Sequence, residues 1–257
     1  MKTAIVIPAR FGSTRLPGKP LLDRTGKPLI QHVYEQAQQV KNSNQVVVAT
    51  DDRRIFDCVA GFGGEVVMTS GEHETGSGRV AEAAGSLDAE IIVNLQGDEP
   101  EIDPAHIERL IHLHTNSNAF ASTLACRFSH NAVSGAGSPD DTAAVKAILG
   151  DAIGEKTYWA RYFTRYLFPV PRDTLGAIKT PSDYFLHVGI YAFFKENLMT
   201  FAGAPMGALE KVERLEQLRI LEMGEAIAVA EIPAAVPGID TPADYDAFVT
   251  RWSEGVT

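Results

Sequence analysis

TAIVIPARFGSTRLPGKPL, at residues 3–21, is the stretch that decides the fold. Its first part, 3–8, is a nearly continuous apolar run rich in Val and Ile, as in strands buried on both faces of a sheet. Similar runs occupy 45–50, 65–68 and 89–95, and helical patterns lie between them. This alternation of strands and helices predicts a parallel sheet with right-handed crossover connections.

The connecting segments carry the signals of helices. Apolar residues recur at helical spacing over 30–40 and again over 55–62, where the pattern stops at a Gly-Gly pair. Asp103-Pro104 then predicts the N-cap and first residue of another helix. The first part of the chain is therefore predicted to fold as an α/β unit.

The pattern changes after about residue 117. Strands are predicted at 119–126, 143–149 and 187–194, with polar and turn-rich stretches between them, which indicates an antiparallel lobe. A single helix is predicted from Glu210 to about Met223, because its apolar side chains recur every three residues.

Composition excludes several classes of protein. The 257 residues carry 33 acidic and 23 basic side chains, for a net charge of -10, which disfavours nucleic-acid backbones and anionic membranes as partners. Cys58 and Cys126 lie in apolar stretches without metal-ligand spacing, so a reducing cytoplasm is expected. No apolar run approaches the length of a membrane span, and none is typical of an export signal.

The charge is unevenly distributed along the chain. Residues 1–28 hold six basic side chains and one acid, which gives this segment a net charge of +5. A solvated basic loop is one interpretation; a site for a small polyanion such as a nucleotide is the other.

The loop after the first strand favours the second interpretation. Ala9, Gly12 and Ser13 are small enough to let backbone amides approach a phosphate, and Arg10, Arg15 and Lys19 supply positive charge. Ligands of open α/β sheets bind at the carboxyl ends of the strands, where this loop begins. The segment is not a P-loop, because Pro20 stands where that motif has its metal-binding hydroxyl.

Acidic and small residues follow two other predicted elements. Asp98 and Glu99 come directly after a buried strand, where carboxylates could hold Mg²⁺ together with phosphate oxygens; a strand-ending turn is the alternative. Asp240 precedes the N-cap Thr241 of the last predicted helix, yet capping does not require an acid at that position. Residues 75–79, Thr-Gly-Ser-Gly-Arg, open a further helix and suit a nucleotide or a flexible loop equally.

Eight segments occur in order along the chain: IPARFGSTRLPGKPL at 7–21, VATDD at 48–52, GGEVVMTS at 63–70, VNLQGDEP at 93–100, FTRYLFPVPRD at 163–173, HVGIY at 187–191, LEQLR at 215–219 and IDTPAD at 239–244. Together they make the chain resemble the 3-deoxy-manno-octulosonate (Kdo) cytidylyltransferases over essentially its whole length. Sialic-acid cytidylyltransferases share the opening I-P-A-R but are more distant.

The resemblance implies a fold and a reaction. The fold is α/β, a Rossmann-like nucleotide-diphospho-sugar transferase fold with a central, mainly parallel sheet and a smaller antiparallel lobe. It is expected to form one cytidylyltransferase domain over 1–257, with a nucleotide- and metal-binding part at roughly 1–117 and 224–257 and a sugar-binding and dimerisation lobe at 118–223. The reaction is Mg²⁺-dependent transfer of CMP from CTP to the anomeric hydroxyl of a 3-deoxy-2-ulosonic acid, with release of pyrophosphate, for lipopolysaccharide precursors. A cytoplasmic homodimer is expected.

The resemblance also assigns residues, one position at a time. The catalytic set is Lys19, Asp98 and Asp240, of which Asp98 and Asp240 would hold magnesium. The nucleotide-binding residues are Ala9, Arg10, Arg15, Lys19, Gly76, Ser77 and Arg79. The sugar-binding residues are Gln96, Arg165, His187, Tyr191, Glu216 and Gln217, and the planar fork of Arg165 suits a carboxylate.

Departures from the family pattern leave the sugar open. Gly78 stands where the family has an acid, Ala143 where an Asn is common, and 204–210 lacks the usual Ser-Pro-Leu-Glu. An 8-amino-3,8-dideoxy analogue of Kdo is therefore an alternative substrate. A sugar 1-phosphate nucleotidyltransferase and a non-catalytic nucleotide-binding module are further alternatives, and retention of both Asp98 and Asp240 argues against the second.

Overall fold

A computed structural model of the chain describes residues 1–12, 15–73 and 75–255. The chain divides into two compact units. The first comprises 1–111, 192–202 and 236–257, and the second comprises 112–191 and 203–235. Among the helices of the described ranges, none combines the length and apolar character needed to cross a bilayer.

The first unit contains a parallel sheet, as the alternating pattern predicts. Its strands are β1 (Thr3–Ala9), β2 (Gln45–Thr50), β3 (Glu65–Met68) and β4 (Ile91–Asn94), in the order β3-β2-β1-β4. All three pairings are parallel, and Ile5 of β1 lies opposite Val46 and Val93. These three side chains are buried because the central strands have both faces covered.

Helices follow the strands of this unit, with caps where the sequence places them. Asp52 accepts a hydrogen bond from the Arg54 amide at 2.9 Å, and Thr241 accepts one from the Asp244 amide at 3.2 Å. The helices are α1 (Leu29–Gln38), α2 (Arg53–Gly61), α3 (Gly76–Gly85), α4 (Pro104–Asn116), α5 (Lys195–Gly203) and α8 (Pro242–Ser253).

The second unit contains strands of both directions. The strands are β5 (Ala121–Arg127), β6 (Lys146–Gly154), β7 (Thr157–Thr164), β8 (Phe185–Phe194) and β9 (Ile227–Ile232), in the order β8-β5-β9-β7-β6. The pairings β6–β7, β6–β8 and β7–β9 are antiparallel, whereas β5 and β9 pair in parallel. The prediction of an antiparallel lobe is therefore wrong for the β5–β9 pair. Strand direction is set by the path of the chain, which the apolar pattern does not reveal.

Two further predictions for this unit are corrected. β7 is absent from the predicted elements, because the polar residues of TYWARYFT hide its alternation. The predicted helix 210–223 is two short helices, α6 (Ala208–Glu213) and α7 (Gln217–Glu222). The break lies at Arg214, which adopts a left-handed conformation with φ of 56°.

The boundaries of the two units differ from the predicted 117 and 223. The first boundary falls within α4, and the strand β9 belongs to the second unit because it pairs with β5 and β7 there. Residues 192–202, which hold the end of β8 and all of α5 except Gly203, belong to the first unit. The sequence carries no composition shift at these points, so pattern alone does not locate them.

Candidate active site

The cationic loop leaves β1 at the carboxyl edge of the parallel sheet. Gly18 closes it: the Gly18 amide donates to the Phe11 carbonyl at 3.2 Å, and its φ of 67° lies in the left-handed region. A Cβ at Gly18 would lie 3.2 Å from the Phe11 ring, whose centroid is 3.3 Å from the Arg54 guanidinium carbon. Arg10 and Arg15 are exposed in this loop, while Ser13 lies outside the described residues.

Lys19 joins three segments that are far apart in sequence. Its ammonium group donates to Asp98 Oδ2 and to the Ile239 carbonyl, each at 2.7 Å, and lies 3.5 Å from Asp240 Oδ1. The Lys19 side chain is 14% exposed, so its charge is partly desolvated and its pairing is stronger than at an open surface. The two predicted metal ligands therefore converge on the predicted catalytic lysine.

Asp240 is engaged by cations and not by the helix that follows it. The amides of Asp240 and Thr241 donate to Asp244 Oδ2 at 3.1 and 2.8 Å, which completes the cap of α8. The Asp240 carboxylate instead contacts Lys19 and Arg15, whose Nη2 lies 3.0 Å from Oδ1. An acid at this position thus serves the site and not the helix.

Glu99 adds a third carboxyl group beside this pair. Burial, followed by the charges of Asp98 and Asp240, raises the pKa of Glu99 to about 8. A Cβ at Gly238 would lie 3.1 Å from Glu99 Oε1, so a glycine there leaves room for the carboxyl group. Glu99 is therefore largely protonated at neutral pH and does not add to the negative charge of the site.

The donor set fits magnesium shared with phosphates. Asp98 and Asp240 present carboxylate oxygens to one cation, and Mg²⁺ is commonly held by one or two carboxylates plus substrate phosphates. Within the described ranges no group of three or more His, Cys, Asp or Glu forms a self-sufficient metal cage. Two carboxylates would supply only part of a Mg²⁺ coordination shell, and phosphate oxygens would be needed for the rest.

The start of α3 lies beside the same sheet edge. A Cβ at Gly76 would lie 3.7 Å from Pro8 and 3.9 Å from Gln96 Oε1, which places Gly76 next to Pro8 and Gln96. Any larger side chain at position 76 would narrow this space, and the adjacent Ser77 is buried. Backbone here can therefore approach a ligand closely.

Arg79 has a different setting from the one expected of a nucleotide ligand. Its side chain is buried, Nη1 donates to Thr69 Oγ1 at 2.6 Å, and Nη2 donates to Asp51 Oδ2 at 2.8 Å. These bonds join α3 to the segments that follow β2 and β3. In this structure Arg79 therefore fixes the start of α3 against the segments that follow β2 and β3.

The predicted sugar residues of β8 face one another in the second unit. His187 and Tyr191 are four residues apart, and their ring centroids are separated by 5.5 Å. His187 Nε2 lies 3.0 Å from Thr123 Oγ1, and the Thr123 hydroxyl donates to the Ile190 carbonyl at 2.7 Å. Because a hydroxyl has one hydrogen, Nε2 donates to Thr123, and Nδ1 is left as an acceptor.

Both groups are neutral at physiological pH. Burial lowers the pKa of His187 to about 3. Burial and the nearby charge of Glu216 raise the pKa of Tyr191 well above its ordinary value. The pair can therefore take part in hydrogen bonds as neutral groups and carries no charge.

Arg165 lies directly after β7 and is held by backbone carbonyls. Its Nε donates to the Glu213 carbonyl at 2.9 Å and its Nη1 to the Thr142 carbonyl at 3.3 Å. Nη2 makes no hydrogen bond to any residue of the described ranges. Glu216 and the buried Gln217, at the start of α7, belong to the same unit. The fixed guanidinium can thus offer its outer hydrogens to an anion.

Buried neutral histidines predict a stability that depends on pH. The pKa of His187 is about 3 and that of His114 about 4, both lowered by burial, whereas an unfolded histidine titrates near 6.5. Between these values the unfolded chain binds more protons, so stability is present above the unfolded pKa and is lost as pH falls. The free energy of unfolding should fall by about 1 kcal/mol per histidine for each pH unit below 6.

Urea denaturation between pH 5 and 7 measures this effect. Glutamine at positions 114 and 187 should flatten the pH dependence, while glutamine at the exposed His130 should not. An unchanged slope in the double variant would contradict the neutral assignment.

Sequence reasoning missed several residues that shape the site. Thr123 and Glu213 carry no signal, since they lie in ordinary strand and helix patterns. Lys146 does carry one: it is a charged residue inside an apolar strand, AVKAIL, where a lysine needs a buried partner.

Comparisons with known proteins bear on the chain as a whole. The family described as "Cytidylyltransferase" matches residues 4–227. The 3-deoxy-manno-octulosonate cytidylyltransferase of Escherichia coli is 42% identical, with 94% of this chain and 92% of that protein covered. The 8-amino-3,8-dideoxy-manno-octulosonate cytidylyltransferase of Shewanella sp. (strain W3-18-1) is 41% identical, with 99% and 100% covered.

A solved structure agrees with the sequence relatives. It is that of CMP:2-keto-3-deoxy-manno-octonic acid synthetase complexed with CTP, which is 39% identical. The similarity covers 99% of this chain and 100% of that one, with a TM-score of 0.88. The predicted α/β class with a mainly parallel sheet is confirmed.

Proposed function

The chain belongs to the 3-deoxy-manno-octulosonate cytidylyltransferases, and we propose on that basis that it transfers CMP from CTP to the anomeric hydroxyl of Kdo with release of pyrophosphate. The observation that carries the proposal is the convergence of Asp98 and Asp240 on Lys19 at the carboxyl edge of the parallel sheet. Bringing a triphosphate and an attacking hydroxyl together requires charge neutralisation and positioning, and no covalent intermediate on the protein.

In this proposal the first unit binds the nucleotide. Arg10, Arg15 and Lys19 neutralise the phosphates, and Ala9 and Gly76 let the backbone approach the nucleoside. Ser77, which is buried at the start of α3, is also assigned to the nucleotide. Arg79 holds α3 in place through Asp51, and its direct contact with the nucleotide stays a prediction.

Asp98 and Asp240 would hold Mg²⁺, on the donor set described above. When bound, the metal would supply Lewis-acid stabilisation of charge on the phosphate oxygens. Lys19 is placed to balance the two carboxylates and to donate to a phosphate oxygen when a ligand competes for it. The anomeric oxygen forms a bond to the α-phosphorus, the bond to the leaving pyrophosphate breaks, and the hydroxyl proton is released.

In this proposal the second unit binds the sugar acid. Arg165 offers its guanidinium to the carboxylate, and His187 Nδ1 accepts from a hydroxyl. Tyr191 remains a neutral donor because its pKa is raised. Glu216 and Gln217 supply acceptors and donors to the remaining hydroxyls.

The 8-amino analogue of Kdo is a second candidate substrate, because relatives named for either sugar match the chain at about the same identity. Pyrophosphate release from CTP should be measured with each acid in turn and with neither. Turnover with Kdo and none without an acid is the expected result. Faster pyrophosphate release with the 8-amino acid than with Kdo would make the 8-amino acid the substrate. Release that requires a sugar 1-phosphate would overturn both candidate substrates.

Arg165→Met should weaken use of the sugar acid more than use of CTP. A charge-assisted contact to a carboxylate contributes about 1.5–3 kcal/mol, so KM for Kdo should rise at least tenfold, while KM for CTP changes little. Steady-state kinetics with one substrate varied at a time measures the difference. Arg161→Met, which loses an exposed ion pair with Asp151 in the same unit, is the control.

We also propose a cytoplasmic homodimer that supplies lipopolysaccharide precursors. Both cysteines are free thiols, as suits a reducing compartment. Tyr166, Phe168, Val170 and Leu175 expose apolar side chains within one segment of the second unit, which suits a covered surface. Sedimentation velocity would measure the oligomeric state.

A further inference from the structure

Lys146 is a cation buried in the second unit, with no exposed surface. Its ammonium group donates to three backbone carbonyls, those of Asp141 at 2.8 Å, Ala144 at 2.6 Å and Arg165 at 2.5 Å. Three carbonyls can accept but not donate, so three hydrogens are needed, which an ammonium group has and a neutral amine has not. Lys146 is therefore a charged tie between the segment at 141–144 and the end of β7.

Burying this charge has a cost that an apolar side chain would avoid. Desolvation of an ammonium group opposes folding, and an apolar residue of similar size often packs at least as well. Stability alone therefore does not explain a lysine at this buried position, and the explanation lies in the geometry that its ammonium group imposes. A lysine with three donors fixes the relative position of three carbonyl groups, which methionine cannot do.

Arg165 contacts the same segment from the other side. Its Nη1 donates to the Thr142 carbonyl at 3.3 Å, while its own carbonyl accepts from Lys146. The segment is itself folded around the Asp141 carboxylate, which accepts from the Gly137 and Ala143 amides, each at 2.8 Å. The backbone of Arg165 is thus bonded to Lys146, and its side chain is bonded to the 141–144 segment that Lys146 holds in place.

Glu213 fixes Arg165 independently of that segment. Its carboxylate accepts from the Arg165 amide at 3.1 Å and from Thr164 Oγ1 at 2.8 Å, and its carbonyl accepts from Arg165 Nε. With Nε and Nη1 engaged on opposite supports, the guanidinium plane is set before a ligand arrives. Removing one support should let the plane turn, without removing the charge.

We propose that Lys146 is a positioning residue that orients Arg165 for the carboxylate of the sugar acid. This rests on the proposed function, in which Arg165 binds that carboxylate. Lys146 has no contact with the substrate and acts through the Arg165 carbonyl and the 141–144 segment. Its effect is therefore confined to the sugar acid and depends on Arg165 being present.

Lys146→Met tests this by a split between the two substrates. KM for Kdo should rise at least about tenfold while KM for CTP stays within about twofold, because the nucleotide residues lie in the first unit. The double variant with Arg165→Met should be no worse than Arg165→Met alone, since Lys146 acts through that arginine. Lys195→Met is the matched control: Lys195 also donates to a backbone carbonyl, that of Leu87 at 2.8 Å, in the first unit.

Each outcome decides the matter. A folded Lys146→Met with unchanged KM for Kdo, a parallel loss for both substrates, or additive losses in the double variant overturns the positioning role. An unchanged KM for Kdo in Arg165→Met alone overturns the sugar assignment of the proposed function, and the positioning role with it. If Lys146→Met does not fold by circular dichroism, Lys146→Gln, which keeps two donors, is judged by the same criteria.

Discussion

Asp98→Asn and Asp240→Asn should each lower the turnover of pyrophosphate release from CTP at least about a hundredfold, which corresponds to ~3 kcal/mol of transition-state stabilisation. Asparagine keeps the shape of the side chain and removes its charge. Both carboxylates contact the Lys19 ammonium group, and we propose that both hold Mg²⁺ against the phosphates. Losing either leaves the charge of the phosphates uncompensated at the moment of transfer.

The fold should survive both substitutions. Lys19 keeps its bond to the Ile239 carbonyl, and an asparagine oxygen can still accept from it. Asp98 is 29% and Asp240 47% exposed, so each variant should lose about 1 kcal/mol of stability or less. Thermal unfolding separates this loss from the loss of turnover.

Asp246→Asn provides the matched control, because Asp246 pairs with Arg24 at the surface of the same unit. It should leave turnover within about twofold of the parent protein, as surface ion pairs contribute little. Full turnover of either Asp98→Asn or Asp240→Asn in the presence of Mg²⁺ would refute the metal assignment. A magnesium titration of the variants would then tell whether affinity for the metal had changed at all.

The parallel sheet of the first unit could be predicted because its strands are short apolar runs separated by capped helices. Asp103 and Thr241 accept hydrogen bonds from backbone amides at the starts of their helices, as the sequence predicts for N-caps. For Lys19, Asp98 and Asp240, the sequence predicts positions near strand ends and helix starts, but it does not predict that the three side chains contact one another. Their contacts depend on the Ile239 carbonyl, which no pattern indicates.

The second unit was harder to predict for a physical reason. β7 contains the exposed Arg161 and the buried but polar Thr164, so apolar and polar residues do not alternate cleanly along it, which weakens the strand signal. Apolar spacing alone gives one helix over 210–223, because a left-handed residue such as Arg214 leaves no mark on periodicity. The supports of Arg165 are mostly backbone carbonyls, and these are invisible in a sequence.

Glu210→Ala should destabilise the protein by about 3–5 kcal/mol, because it leaves the buried Arg219 without its carboxylate. Glu210 is 3% and Arg219 7% exposed. The pair is bidentate, with Nε to Oε2 at 2.7 Å and Nη2 to Oε1 at 2.5 Å, and Arg219 also donates to the Ala204 carbonyl at 3.2 Å. Urea denaturation at pH 7 measures the free energy of unfolding.

The double variant Glu210→Met with Arg219→Met distinguishes a lost partner from lost packing. Two methionines of similar volume leave no charge buried, so most of the stability should return. Asp151→Ala, which breaks the exposed pair with Arg161, should cost less than 1 kcal/mol. If Glu210→Ala lowered the free energy of unfolding as little as Asp151→Ala, the Glu210–Arg219 pair would not be needed for stability.

The same pair connects stability to the sugar acid. Because the chain turns at Arg214, α6 and α7 are not one rigid helix, and the Glu210–Arg219 pair is one of the contacts that join them. Glu216 and Gln217 lie at the start of α7, so their placement depends on that joint. The double methionine variant should therefore fold stably and yet show a raised KM for Kdo, with KM for CTP unchanged, since neutral side chains restore packing without restoring the bidentate geometry. An unaltered KM for Kdo would mean that α7 is placed without this pair, by packing and by Glu222, whose carboxylate accepts from the Leu209 amide at 3.0 Å.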